Sequence, residues 1–256
     1  MSAEPEVLVE AGADQLAAAV ARRTLDTLET ALAGGADAHL VVTGGGILEA
    51  ALTQLATPAG IEALDWRRVH VWWGDERYVP ADSDDRNDLP ALAKAFDALP
   101  LEPAKLHRMP SSDAGFPDAE AAAQSYASEL AAVGGSGLVP AFDVVLLGVG
   151  PDGHCCSLFP HHPGTRVLDT SVIAVHESPK PPPDRLSLTF TALDAAKQIW
   201  FVASGEGKAE AVAKALSGAE RTEVPSAGPR GLERTLWLVD PDAAAQLPTR
   251  VPTTQS

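Results

Sequence analysis

The stretch Phe142-Asp143-Val144-Val145-Leu146-Leu147-Gly148-Val149-Gly150-Pro151-Asp152-Gly153-His154 decides the fold class. Its first half is apolar on both faces, as a strand is when helices cover both sides of its sheet. Its second half is a glycine-rich turn that sets an imidazole behind the strand's carboxyl end, where parallel sheets keep their chemistry. Working outward, short apolar runs recur at 7–9, 40–42, 69–73, 186–190, 199–203 and 235–239. Helix-spaced patterns lie between them. The clearest has Leu16, Val20, Leu25, Leu28 and Leu32 on one face, with Gly34-Gly35 behind it. Further helices are expected over 88–97, 117–132, 206–217 and 241–247. The alternation predicts an α/β fold: a three-layer αβα sandwich with a mainly parallel, Rossmann-like sheet, residues 1–256 forming one domain. The segment 178–183 (SPKPPP) reads as a stiff extended connector.

Composition narrows the function classes. Thirty-five acidic against 19 basic side chains give a net charge of −16, which argues against a nucleic-acid partner. No apolar run approaches the roughly 18 residues of a membrane helix, so no membrane partner is expected. The N-terminal MSAEPEVLVE is acidic where a secretory signal would be basic. Cys155 and Cys156 are adjacent and cannot build a disulfide framework. The expectation is a cytoplasmic, monomeric protein.

Four loops after apolar runs carry candidate chemistry. Thr43-Gly44-Gly45-Gly46 precedes a helix pattern, and fits either anion capture at a helix mouth or a plain turn. Asp75-Glu76-Arg77 reads as a polar pocket floor, or as solvated ion pairs. His154, with Asp152 two residues before it, is placed for proton transfer, or is a hydrogen-bonded structural histidine. Lys208 opens a helix whose dipole it opposes, which calls for an anion unless it is only a surface lysine. Arg77, Lys208 and Arg185 are the cations an anionic ligand would meet. Gly148, Gly150 and Gly153 spell G-x-G-x-x-G, but a dinucleotide site needs a helix next, and Pro160 and Pro163 leave barely two turns. The cluster His154, Cys155, Cys156, His161, His162 lacks the second ligand pair of a zinc site. No metal and no dinucleotide are expected.

Trp73-Gly74-Asp75-Glu76-Arg77-Tyr78-Val79-Pro80, Leu147 through His154 with Ser157-Leu158-Phe159-Pro160, SPKPP with Arg185-Leu186-Ser187-Leu188-Thr189, and Gly205 to Lys208 together resemble the 6-phosphogluconolactonases. The likeness spans roughly 41–214. It implies hydrolysis of 6-phospho-D-glucono-1,5-lactone in the pentose phosphate pathway, on a fold shared with sugar-phosphate isomerases and deaminases, with no cofactor. It also implies His154 as acid/base with Asp152 beside it. Thr43, Gly44, Gly45, Asp75, Arg77, Asn87, Gly150, Gly153, Arg185 and Lys208 are the expected substrate-binding residues. Gly46, Cys155 and Arg86 depart from the family's usual Ser, Thr and Ser. A glucosamine-6-phosphate deaminase and a non-catalytic sugar-phosphate sensor are the rival readings. The Ser157-Leu158-Phe159-Pro160 continuation and the lack of a basic flanking module weigh against them.

Overall fold

The computed structural model of the chain describes residues 4–135 and 137–248. In chain order the elements are β1 (Pro5–Val9), α1 (Ala13–Ala33), β2 (Ala38–Val42), α2 (Gly46–Leu55), α3 (Pro58–Ala63), β3 (Val69–Trp73), β4 (Asp75–Arg77), α4 (Asp88–Lys94), β5 (Leu106–His107), α5 (Ala119–Gly134), β6 (Val144–Gly148), β7 (Val172–Val175), β8 (Arg185–Leu188), α6 (Phe190–Leu193), β9 (Gln198–Ala203), α7 (Ala209–Leu216) and β10 (Arg234–Val239). Seven strands form one parallel sheet in the order β1-β10-β9-β6-β2-β3-β5.

Both faces of that sheet are covered, as the doubly apolar strands require. Neighbouring residues of β3 point to opposite faces. Trp72 meets Tyr126 of α5 edge-on at 6.0 Å, while Trp73 meets Phe96, just beyond α4, at 5.8 Å. On the long helix α1, Leu16, Val20, Leu28 and Leu32 are buried, the one-faced stripe the spacing predicts. The Tyr126 hydroxyl accepts from the Trp73 amide (3.0 Å) and donates to the His107 carbonyl (3.0 Å), pinning α5 to the ends of β3 and β5.

Three features depart from the sequence expectation. A second, antiparallel sheet, β4-β8-β7, stands beside the first, and its strand β4 is the charged run Asp75-Glu76-Arg77. Residues 241–246 make only turns and no helix. Pro248 leaves room for barely two turns there. The 178–183 segment is no extended rod, because the Ser178 amide donates to the Pro183 carbonyl at 3.0 Å and closes it into a loop.

A histidine ladder crosses β2, β3 and β5 away from the glycine loops. His39 stacks on His70 (4.6 Å), and His70 Nδ1 and His107 Nε2 share a hydrogen bond at 2.8 Å. His107 Nδ1–H donates to Glu129, and Trp72 Nε1–H donates to His39 Nδ1 at 3.2 Å. Burial first, then the neighbouring charge of His70, pushes His39 down from 6.5 to about 4. Above pH 6.5 the imidazole is neutral in both folded and unfolded chains. Below it the unfolded chain takes a proton that folded His39 refuses, so stability falls as pH drops from 6.5 toward 4. The full effect is on the order of 3 kcal/mol. Urea midpoints at pH 7.5 and 4.5 should therefore differ less in His39→Gln than in the normal protein. An equal drop in both would remove His39 as the source.

Candidate active site

All seven strands of the large sheet run the same way, so their carboxyl ends share one edge. From β2 the chain steps outward to β3 and β5; from β6 it steps the other way to β9 and β10. The crevice between β2 and β6 is thus the switch point of the sheet, where ligands of such folds bind. Thr43 bridges it: its hydroxyl donates to the Leu146 carbonyl (3.2 Å) and accepts from the Gly148 amide (3.1 Å). Its side chain is spent on the scaffold, leaving backbone and surface for a ligand. A cavity of about 650 Å³ opens above.

Of the expected residues, Thr43, Gly44, Gly45, Asp75, Arg77, Asn87, Gly150, His154, Arg185 and Lys208 line this cavity. Asp152 and Gly153 stand behind the lining and shape the histidine turn. The Gly150 amide donates to the His154 carbonyl (2.9 Å), and the Gly153 amide to the Gly150 carbonyl (2.9 Å). The imidazole folds back over its own turn: a Cβ at position 150 would lie 2.0 Å from His154 Nδ1. Only glycine permits that approach. His154 Nδ1–H donates to Asp152 Oδ1 at 2.5 Å, which fixes the tautomer and leaves Nε2 with no partner among the described residues. Burial raises Asp152, but the hydrogen bond and charge of His154, with the charge of Lys180, outweigh it and hold the carboxyl well below the usual range. The Phe159 ring backs the imidazole at 4.8 Å.

The acidic run is not a set of solvated ion pairs. Asp75 is buried and accepts from Ser157 Oγ at 2.8 Å. Glu76 is fully buried. It accepts from the amides of Arg77 (2.8 Å), Asn87 (2.6 Å) and Asp88 (2.9 Å), and so builds the entry to α4. Burial and the Asp88 charge push it up to about 7. Neither carboxylate pairs with the Arg77 guanidinium. Arg77 Nη1 donates to the Asp85 carbonyl, and its buried Nε has no partner among the described residues. Arg86, a departure from the family pattern, is a buried scaffold residue gripping Asp88 at 2.9 and 2.7 Å. Asn87 packs on Gly44 so closely that a Cβ there would sit 2.1 Å from its Oδ1.

Arg185 is also bent to structural work. Nη2 donates to the carbonyls of Lys180 (3.0 Å) and Pro181 (3.2 Å), Nε donates to Pro182 (3.2 Å), and the guanidinium lies 5.7 Å over Phe159. Lys208 caps α7, and burial followed by the charge of Lys180 pushes it down. Lys180 and Asp14 are charged cavity residues to which sequence reasoning gave no role. The SPKPPP context of Lys180 was visible, but its contact with Asp152 depends on two loops meeting. Arg77, Lys180, Arg185 and Lys208 line the cavity against Asp14 and Asp75, so a protein of charge −16 carries a local cationic site. The α2 N-terminus, capped by Gly45 with no side-chain bond, adds unpaired amides. Cys155 and Cys156 are buried thiols, raised by burial, and behave as packing residues. No group of His, Cys, Asp and Glu suited to a metal occurs among the described residues.

A glycine-turned histidine thus stands at the switch point of the sheet, beside a ring of cations. The family model for glucosamine-6-phosphate isomerases/6-phosphogluconolactonase matches residues 11–237. The chain belongs to that family. It is 47% identical over 252 residues to a 6-phosphogluconolactonase of Streptomyces coelicolor, covering 97% of each chain. It is 42% identical to one of Mycobacterium leprae, over 97% of this chain and 100% of that one. Among solved structures, the 6-phosphogluconolactonase of Trypanosoma brucei superposes with a TM-score of 0.79 at 28% identity, over 96% of this chain and 99% of that one.

Proposed function

We propose that this cavity hydrolyses 6-phospho-D-glucono-1,5-lactone to 6-phospho-D-gluconate with His154 as the group that moves the proton. The reaction itself is the one named for the full-length relatives at 42–47% identity. The enzyme is a carboxylic ester hydrolase of the pentose phosphate pathway. The observation that carries the mechanism is the pairing of a partnered Nδ1 with an open Nε2 on His154. Nε2 takes a proton from water, and the hydroxide attacks the C1 carbonyl. Electron density moves to the carbonyl oxygen and returns as the ring C–O bond breaks. Imidazolium Nε2–H then protonates the departing ring oxygen. Asp152 holds the ring and balances its transient charge.

The phosphate is assigned to Arg77, Lys208 and the amides at the mouth of α2. Two findings support this. The Arg77 Nε is buried and unpartnered, and β4 and β8 set Arg77 directly opposite Arg185. Like charges opposite one another destabilise a sheet pair unless an anion joins them. Asp75 and Asn87 face the sugar. A single-domain monomer is the working unit of this proposal, with no metal or cofactor in any step. The free, buried thiols fit a cytoplasmic location. No helix among the described residues is long and apolar enough to cross a membrane.

The family also contains glucosamine-6-phosphate isomerases, so the test offers both substrates. Acid release from 6-phosphogluconolactone and ammonia release from glucosamine 6-phosphate are followed separately. Rapid acid release without ammonia is expected; ammonia as the main product would overturn the assignment.

A further inference from the structure

Lys180 sits on the 178–183 loop, and the molecule spends much of its hydrogen bonding on placing it. Ser178 Oγ donates to the Lys180 carbonyl (2.8 Å) and accepts from the Lys180 amide (3.3 Å). The Ser178 amide closes on the Pro183 carbonyl. The buried Arg185 guanidinium then grips three consecutive carbonyls, those of residues 180, 181 and 182. Arg185 also lies over Phe159, the ring that backs His154. The loop and the histidine turn therefore share one scaffold.

The result of this placement is an ammonium beside the catalytic pair. Lys180 Nζ lies 3.6 Å from Asp152 Oδ1 and 3.4 Å from His154 Nδ1. Nδ1 carries the proton it donates to Asp152, so it cannot accept from an ammonium. Lys180 acts on the ring as a charge. Asp152 alone would favour the imidazolium over the neutral ring. A cation sharing the same carboxylate oxygen opposes that.

We propose that Lys180 is a positioning residue for the hydrolysis, sharing the Asp152 carboxylate with His154 so that the imidazole rests as a neutral base. The inference depends on His154 being the base. The groups facing that imidazole are Asp152 from its own turn and Lys180 from the 178–183 loop. Lys208, at the start of α7, lies near enough for Lys180 to lower it. The charges of Asp14, Asp75, Arg77 and Arg185 line the same cavity. Of these, Asp152 and Lys180 are the two in contact with Nδ1, and Lys180 is the cation. The same field that keeps the ring neutral at rest makes imidazolium a better acid toward the departing ring oxygen.

The experiment is kcat/KM against pH from 5 to 8.5 for the normal enzyme, Lys180→Met, Lys180→Arg and His154→Gln, with spontaneous lactone hydrolysis subtracted. Removing a cation at this distance in a partly solvated site should move the acid limb up by about one pH unit, about tenfold in rate on that limb. The deficit of Lys180→Met should shrink as pH rises, and Lys180→Arg should restore most of the normal profile. A loss by the same factor at every pH would mark Lys180 as a substrate contact or a fold element and overturn the proposal, as would an unmoved profile. If His154→Gln turns over normally, the base assignment fails. If His154→Gln is inactive while the Lys180→Met profile is unmoved, only the role of Lys180 fails. Lys180 is partly exposed and its loop is held through backbone atoms, so the Met variant keeps the contacts that fold the loop.

Discussion

Replacing His154 with Gln or Ala is expected to lower kcat at least about a hundredfold with little change in KM. The imidazole is aimed by the turn beneath it and by Asp152, and its Nε2 is unspent. Neither glutamine nor alanine can cycle a proton at neutral pH. The lactone is an activated ester, so a single acid/base group is enough to account for much of the acceleration. The side chain makes no contact with the proposed phosphate anchors, which is why affinity should survive. The measurement is the initial rate of 6-phosphogluconolactone hydrolysis, with the unassisted rate subtracted and folding checked by circular dichroism. Near-normal turnover in a folded variant would take His154 out of the role.

How far the sequence foretold this site depends on how local each feature is. The run from Phe142 to His154 was readable because a buried strand and its glycine turn are both written within thirteen successive residues. The large parallel sheet followed from the same pattern repeated, except that the apolar run at 186–190 supplies β8 of the antiparallel sheet. The small sheet did not, because β4 breaks the apolar rule: Asp75 and Glu76 are buried there on hydrogen bonds from Ser157, Asn87 and Asp88, partners up to 82 residues away. Periodicity cannot see carboxylates neutralised by distant donors. Arg185 was singled out as a cation for a ligand, and the structure shows it lining the cavity while spending its bonds on loop carbonyls. Lys180 was quoted only as part of its motif and given no role, for the complementary reason. Its significance lies in a meeting of the 178–183 loop with the histidine turn, which only the folded chain brings about.

Loss of Arg77 or Lys208 should produce the other large effect. A chain of charge −16 repels a phosphorylated substrate at long range, so binding rests on a few short contacts. Each charge-assisted contact removed costs about 1.5–3 kcal/mol, roughly ten- to a hundredfold in kcat/KM. Arg77→Ala should lie toward the upper end, since its guanidinium has no ion pair among the described residues and its neighbour across the strands is another arginine. Arg77→Lys should also be costly, because an ammonium cannot offer two donors in one plane. Lys208→Ala should fall in the same range, removing a lysine that has no ion pair among the described residues. Gluconolactone without the phosphate gains nothing from either cation, so its turnover should change little in the variants. The normal enzyme should strongly prefer the phosphorylated lactone, and that preference should narrow about ten- to a hundredfold in each variant. Assaying both lactones with the three proteins checks this directly. If Arg77→Ala and Lys208→Ala keep the normal preference, the phosphate is held elsewhere in the cavity, and the facing arginines need another explanation.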